Sequence, residues 1–106
     1  MILVYLRPQP ILQLLFVAVG DADIQVQSNC AFALGMLVEN SDTDLSSQYL
    51  HLLTALRPLF DVPEGALLVN LNARDNAIGA VARMIIKNTE AVPLDQVCLT
   101  FSFADL

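Results

Sequence analysis

Residues 26–34 read VQSNCAFAL and residues 73–81 read ARDNAIGAV, so one nine-residue pattern occurs twice, with a spacing of 47 positions (26 to 73). An asparagine takes the fourth place in both copies, as Asn29 and Asn76. Apolar residues in each copy recur at three- and four-residue steps, which is the spacing of one face of an α-helix. A helical repeat of about 40–47 residues is typical of stacked helix pairs, in which each pair buries its apolar face against a neighbour.

The sequence on either side of the two copies predicts further helices. The predicted helices cover residues 11–19, about 22–40, about 45–60, about 71–88 and a stretch from Leu94 onward. Gly20 is expected to close the first helix as a C′ glycine, and Asp21 and Asp23 are N-cap candidates for the second. Asp44 is expected to cap the third helix, which Pro58 bends or ends. We therefore predict an all-α chain, an α-α superhelix of about two repeats and roughly five antiparallel helices.

The composition is unusually apolar for a small domain. Apolar residues make up 56% of the 106 residues and charged residues 15%, against roughly 45–50% and about 25% in typical soluble domains. A membrane-spanning helix needs about 20 apolar residues in succession, but the longest run, residues 11–20, is shorter and contains Gln13. We therefore expect a slice of a larger protein, whose apolar end faces neighbouring repeats cover, and no insertion into a membrane.

The charge of the chain restricts its possible partners. The formal net charge is −6 and the sequence pI is about 4.3. An acidic surface repels nucleic-acid phosphates and attracts basic peptides. The basic residues are also few and scattered, so we expect no nucleic-acid binding. The alternative, that the acidic residues serve only solubility, stays open from composition alone.

No pattern in the sequence predicts catalysis, a cofactor or a metal. His51 is the only histidine, and a metal site needs three or four ligands. Cys30 lies among small apolar residues of the first copy, where a packing role is expected instead of nucleophilic catalysis with His51. The remaining cysteine, Cys98, does not make a disulfide framework. The sequence therefore predicts a protein that is not an enzyme and that suits a reducing compartment.

Two glycines lie inside predicted helices without belonging to a phosphate-binding motif. Gly35 and Gly79 each cost the helix roughly 1 kcal/mol relative to alanine, and close helix contact is the expected reason. Arg74 is expected to bond across to an acidic residue of the neighbouring repeat, with a polar contact to a partner as the alternative. The shared position of Asn29 and Asn76 indicates either the inner face of the superhelix or a hydrogen bond to an adjacent helix end.

The repeated pattern resembles the second helix of a HEAT repeat, and longer strings resemble one family. Residues 28–40 (SNCAFALGMLVEN) and residues 71–85 (LNARDNAIGAVARMI) are similar to importin-beta family karyopherins, in particular the beta-four type of fungi. The connecting residues 49–60 and 91–97 fit the same family. The resemblance covers residues 11–97. It implies three parts: a poorly matching segment at 1–10, a HEAT-repeat segment at 11–97 and a divergent tail at 98–106.

The resemblance implies a nuclear transport receptor. Such receptors bind basic cargo such as ribosomal proteins and histones, contact Phe-Gly nucleoporins, release cargo to Ran-GTP, and move between cytoplasm and nucleus. The second helix of each HEAT repeat would line the concave surface, so the residues nominated for partner contact are Asn29, Asn40, Asp75 and Asn76.

Two other interpretations remain open at this stage. One is a HEAT-repeat interaction scaffold unrelated to transport, and the other is a truncated gene product without independent function. Two repeats with uncapped apolar ends also predict self-association of the short chain.

Overall fold

The computed structural model describes residues 8–93, and all regular secondary structure in this part of the chain is helical, with no strand among the described residues. The four α-helices are α1 (Pro8–Ala18), α2 (Ile24–Asn40), α3 (Tyr49–Leu56) and α4 (Leu68–Lys87). Short 3-10 turns cover Ser46–Gln48, Arg57–Leu59 and Thr89–Ala91. The all-α prediction is therefore confirmed. The predicted helix from Leu94 onward, the boundary at residues 97–98 and Cys98 lie outside the described residues.

The helices form two layers. The most extensive packing joins α2 to α4, which we call the inner layer. Helix α1 packs against α2 and α3 packs against α4, and we call this pair the outer layer. Each repeat thus contributes one outer and one inner helix, and the two repeats stack chiefly through their inner helices.

Residues from all four helices build one hydrophobic core between the layers. Leu12 of α1, Leu34 of α2, Leu52 of α3 and Met84 of α4 are completely buried. In α2, α3 and α4 they recur at three- and four-residue steps with other buried residues of the same helix, as the amphipathic pattern predicts. Cys30 belongs to the same core, so its predicted packing role is confirmed.

The start of α2 follows from a local capping signal. The side chain of Asp23 accepts a hydrogen bond from the backbone N–H of Gln25 at 2.8 Å, so Asp23 is the N-cap. Asp21 in turn accepts from the N–H of Asp23 at 2.8 Å. Gly20 follows α1 as predicted, but Gly65 is the one glycine with positive φ among the described residues. The left-handed glycine cap predicted at Gly20 is therefore wrong, and ordinary turn hydrogen bonds end α1 instead.

The predicted helix at 45–60 is divided into three pieces. A 3-10 turn precedes α3 and another follows it, and Pro58 lies within the second turn. Proline lacks a backbone N–H and clashes with the preceding turn of an α-helix, which explains the early end of α3. Asp44 does not cap α3, whose N-cap is Gln48. Its carboxylate instead accepts from the N–H of Ser46 at 2.9 Å, at the entry to the first 3-10 turn.

Helix α4 begins three residues before its predicted start at residue 71. The carbonyl oxygen of the Asn70 side chain accepts from the backbone N–H of Leu67 at 3.1 Å and supports the first turn. The helix ends at Lys87, where Asn88 turns to an extended conformation. Among the described helices, none combines the length and the hydropathy that crossing a bilayer requires.

Candidate protein-interaction surface

The interface between α2 and α4 contains a buried polar contact. Ser28 is 2% exposed, the one buried polar residue of the described chain. The side-chain amide of Asn76 donates to the backbone carbonyl of Ser28 at 3.1 Å and to its hydroxyl oxygen at 3.0 Å. A buried hydroxyl needs such a partner, because leaving it unpaired costs about 1–3 kcal/mol. Asn76 and Ser28 therefore fix how the second repeat sits on the first.

Two turns further along α2, the two inner helices come into backbone contact. A Cβ placed on Gly35 would lie 3.0 Å from the Cα of Ala80 and 3.2 Å from its Cβ. The close helix contact predicted for Gly35 is therefore confirmed. Gly79 differs, because a Cβ there would meet only the guanidinium of Arg83, at 2.9 Å. The same prediction for Gly79 is wrong, since its missing side chain leaves room for Arg83 and not for a neighbouring helix.

The C-terminal half of this interface is ionic. Arg83 Nε lies 3.3 Å from a carboxylate oxygen of Glu39, and Lys87 Nζ donates to the backbone carbonyl of Glu39 at 3.2 Å. The guanidinium of Arg83 also lies over the ring of Phe32, 5.9 Å from its centroid. Phe32 is 49% exposed, so this cation–π contact is at the surface. Glu39 thus holds two basic residues of the following repeat.

The predicted bond between Arg74 and an acidic residue of the other repeat is not formed. Arg74 instead pairs with Asp75, the next residue of the same helix, at 3.6 Å. The ion pair that joins the repeats uses Arg83 and Glu39. The sequence did not predict this pair; the opposite charges of Glu39 and Arg83, 44 positions apart and close to the 47-residue repeat, are the signal for it.

The four residues nominated for partner contact lie on the inner layer, but they differ in availability. Asn29 and Asn40 are exposed and bond within α2, Asn29 accepting from Gln25 at 3.0 Å and Asn40 donating to the carbonyl of Met36 at 2.8 Å. Asp75 is exposed beside Arg74. Asn76 is half-buried and uses its amide to hold Ser28. Two environments were expected for the repeated asparagine, the inner face or a hydrogen bond to the end of an adjacent helix. Asn76 hydrogen-bonds to the adjacent helix α2, but within the helix and not at its end.

The residues weighed for catalysis are not brought into a reactive arrangement. Burial raises the pKa of the Cys30 thiol, and the nearby carboxylate of Asp21 raises it further, so the unreactive thiol form is favoured. The His51 ring stacks on Phe16 with a centroid distance of 3.8 Å. Within residues 8–93, no three histidine, cysteine or acidic side chains converge as metal ligands would.

A shallow polar pocket of about 360 Å³ lies where the two repeats join. Its lining combines the connector after α2 with Lys87 and Asn88 at the end of α4. Asn88 donates to the hydroxyl of Ser46 at 2.8 Å, and that hydroxyl hydrogen-bonds to Asp44. The hydrogen bonds that the Ser46 hydroxyl and the Ser46 backbone N–H donate to the Asp44 carboxylate lower the pKa of Asp44. Beside the pocket, these hydrogen bonds join the end of α4 to the entry of α3.

Comparison with known proteins shows which protein family this chain resembles. The chain is 40% identical over 87 residues to a protein of the fission yeast Schizosaccharomyces pombe named Probable importin subunit beta-4. The match covers 82% of this chain. This segment belongs to the importin-beta family. It spans 8% of the length of that relative. No protein-family model matches the chain, and no solved structure matches it.

Membership in the family agrees with the architecture. The described helices pair into two layers as the units of a helical-repeat protein do.

Proposed function

We propose that this segment contributes part of the cargo-binding surface of a nuclear transport receptor. The observation that carries the proposal is the 40% identity to an importin subunit beta-4 across 82% of the chain. The receptor as a whole would bind basic cargo such as ribosomal proteins or histones, engage Phe-Gly nucleoporins and release cargo to Ran-GTP. It would accordingly move between cytoplasm and nucleus.

The charge distribution around α2 supports a basic partner. Asp21 and Asp23 lie before α2, and Asp42 and Asp44 follow it. All four are exposed, and none forms an ion pair within the described residues. Exposed acidic residues at both ends of one inner helix would attract a lysine- or arginine-rich segment and accelerate its encounter.

The polar residues of the inner layer supply the closer contacts in this proposal. Asn29 and Asn40 present exposed amides on α2, and Asp75 presents a carboxylate on α4 whose side chain is 66% exposed. Asn76 would act indirectly, because its amide already holds Ser28 in place. A basic peptide lying across α2 and α4 would exchange the Arg74 contact of Asp75 for its own.

A titration of the 106-residue chain with a fluorescent lysine- and arginine-rich peptide tests the proposal by anisotropy. We expect salt-sensitive binding that Asp75→Asn weakens roughly two- to fivefold, which is typical for one exposed charge pair. Asp61→Asn removes an exposed acidic residue of the loop before α4 and serves as the matched control. Equal binding of a neutral peptide of the same length would contradict the proposal.

The same titration with Ran-GTP and with Phe-Gly peptides separates transport from other scaffolding. Ran-GTP that competes with the basic peptide, while Ran-GDP does not, is the expected behaviour of a receptor of this family. Binding of the basic peptide without any effect of Ran-GTP or Phe-Gly peptides would favour a helical-repeat scaffold outside transport.

A further inference from the structure

The connector between α2 and the first 3-10 turn carries hydroxyl and carboxyl side chains in alternation. Residues 41–44 read SDTD, and the side chains of Asp42 and Asp44 are exposed. Neither carboxylate forms an ion pair with another described residue. Counted from Ser41, the two carboxylates occupy the first and the third place toward the C-terminus.

This spacing distinguishes one hydroxyl group from the others. Of the serine and threonine residues between 8 and 93, only Ser41 is followed by acidic residues at both the first and the third place. Thr43 and Thr89 each have an acidic residue at the first place alone. Protein kinases choose their substrates partly by such charge patterns. The two carboxylates therefore match a kinase whose substrate groove is basic, an acid-directed serine/threonine kinase.

The backbone at Ser41 suits recognition as an extended segment. Ser41 is the C-cap of α2 with φ −73° and ψ 132°, so the chain leaves the helix there in an extended conformation. Its hydroxyl oxygen accepts from the N–H of Thr43 at 3.2 Å, and its hydroxyl proton has no acceptor among the described residues. Because Ser41 is half-buried, the last turn of α2 must open to admit a kinase, and helix ends open at little cost.

We propose that Ser41 is a phosphorylation site for an acid-directed serine/threonine kinase, and that the phosphate then lies in the polar pocket beside Lys87. In the transfer, a carboxylate of the kinase accepts the hydroxyl proton and the Ser41 oxygen forms a bond to the γ-phosphorus of ATP. The bond between that phosphorus and the bridging oxygen breaks, and ADP leaves with that oxygen. This site is independent of the binding of a basic partner.

The pocket offers the phosphate room and one cation. Ser41 and Lys87 both line the pocket, whose volume is about 360 Å³. Lys87 donates to the backbone carbonyl of Glu39 at 3.2 Å, a neutral acceptor, and a phosphate would give it a charged one. Asp42 and Asp44 line the same pocket and would repel the phosphate. Lys87 is thus the group of this pocket that can hold a phosphate by charge.

The modification would change how the second repeat is held on the first. A phosphoserine carries a charge of about −1.5 to −2 near neutral pH. It would draw the Lys87 ammonium from the Glu39 carbonyl of α2 to the connector. The end of α4 would then be attached to the connector through an ion pair instead of to α2 through a neutral acceptor.

Incubation of the folded 106-residue chain with casein kinase II and ATP tests the site, with the phosphate located by mass spectrometry. The background variant Ser102→Ala removes the other serine that has an acidic residue at its third place. We expect phosphate on Ser41 and none after Ser41→Ala. A chain that takes up no phosphate, or one that takes it up equally well after Ser41→Ala, overturns the proposal.

The acidic neighbours are tested by the rate of the same reaction. Asp42→Asn and Asp44→Asn should each slow it about tenfold, through the loss of one charge-assisted contact with the kinase. Asp42 is the cleaner change, because Asp44 also hydrogen-bonds to Ser46. Asp61→Asn, in the exposed loop before α4, and Ser47→Ala, at a serine that no acidic residue follows closely, should leave the rate unchanged. An unchanged rate in Asp42→Asn and Asp44→Asn alike overturns the choice of kinase.

Phosphorus NMR of the modified chain tests the contact with Lys87. A neighbouring ammonium lowers the second pKa of the phosphate, whereas the carboxylates of Asp42 and Asp44 raise it. Lys87→Gln should therefore raise this pKa. Arg57→Gln, at an exposed arginine outside the pocket, should leave it unchanged. The same phosphate pKa with and without Lys87 overturns the placement of the phosphate in the pocket.

Discussion

The inner and outer layers join the two repeats in different ways. Helices α2 and α4 meet along most of their length, through a buried hydrogen-bonded serine, a glycine against a backbone and an ion pair. In the outer layer, α1 and α3 meet where the ring of Phe16 stacks on His51. The inner contacts depend on the positions of particular atoms, whereas the outer contact is a stack of two flat rings.

This difference indicates which layer determines the register in which the repeats stack. A hydrogen bond to Ser28 or a backbone contact at Gly35 is lost when one helix slides by a single turn. Stacked rings and aliphatic side chains tolerate offset, because dispersion contacts are not directional. The inner layer therefore sets the geometry of the superhelix, and the outer layer fills the remaining space.

The largest expected effect comes from the closest inner contact. Gly35→Leu places a side chain where the Cβ alone would lie 3.0 Å from the Cα of Ala80, so the inner helices must separate. We expect a loss of about 2–3 kcal/mol in the free energy of unfolding, as for overpacking of a core, measured by urea denaturation. Gly79→Leu is the comparison variant, because a Cβ there would meet no atom of the neighbouring helix and would shift only the flexible end of Arg83, whose surface ion pair with Glu39 contributes little.

The two glycine variants should differ in their free energy of unfolding. Gly79→Leu should be neutral or stabilising by up to about 1 kcal/mol, since leucine is the better helix former. Equal losses at both positions would mean that the contact between Gly35 and Ala80 does not decide the stability.

The next effect concerns the repeated asparagine. Asn76→Ala removes the partner of the buried Ser28 hydroxyl and should cost about 1–2 kcal/mol. Asn29→Ala, at the same place of the first repeat, removes an exposed bond to Gln25 and should change stability by less than about 0.5 kcal/mol. Thermal or urea unfolding of both variants measures the difference. A loss at Asn29 as large as at Asn76 would contradict the role given to Ser28.

A smaller effect is expected from the outer layer. His51→Ala removes the ring that stacks on Phe16, an exposed contact worth about 0.5–1 kcal/mol at most. His51→Phe keeps a flat ring at this place and should retain most of the stability. A loss from His51→Ala exceeding that from Asn76→Ala would reverse the assignment of register to the inner layer.

The sequence predicts those features that depend on neighbouring residues. Asp23 caps α2 because an aspartate directly before an apolar periodic run satisfies a free N–H at the helix start. The burial of Cys30 follows from its place in the apolar stripe. The helix boundaries at residues 40 and 87 are likewise within a residue of prediction, because polar connectors follow both.

The contacts between the repeats could not be predicted in the same way. Ser28 gives no signal in the sequence, since its burial depends on which side of α2 receives α4. Arg74 was expected to pair with an acidic residue of the other repeat but pairs with one of its own helix, and Gly79 was assigned the wrong neighbour, because both depend on the crossing of two helices and not on either helix alone. Asn29 and Asn76 share a sequence place but not an environment, since among described residues only α4 has a helix on the side of its asparagine.

The smallest expected effect lies at the connector that joins the layers. Hydrogen bonds from the Ser46 side chain and backbone stabilise the Asp44 carboxylate and lower its pKa below the ordinary 3.8. Because the folded value is the lower one, the contribution to stability is present above the unfolded pKa and is lost as pH falls through the folded pKa. Carbon-detected NMR titration of the Asp44 carboxyl group measures this pKa directly.

The variant Ser46→Ala tests the hydrogen bonds that connect the two layers at this connector. The substitution removes the hydroxyl that bonds to Asp44 and that also accepts from Asn88 at 2.8 Å, at the end of α4. The Asp44 pKa should then rise toward its ordinary value, because the hydroxyl is the larger of the two causes of its decrease. Asn88→Ala should move the pKa in the same direction but less, since it acts on Asp44 only by orienting Ser46. If Ser46→Ala left the pKa unchanged, the hydrogen bonds between α4 and the entry of α3 would not form a connected network.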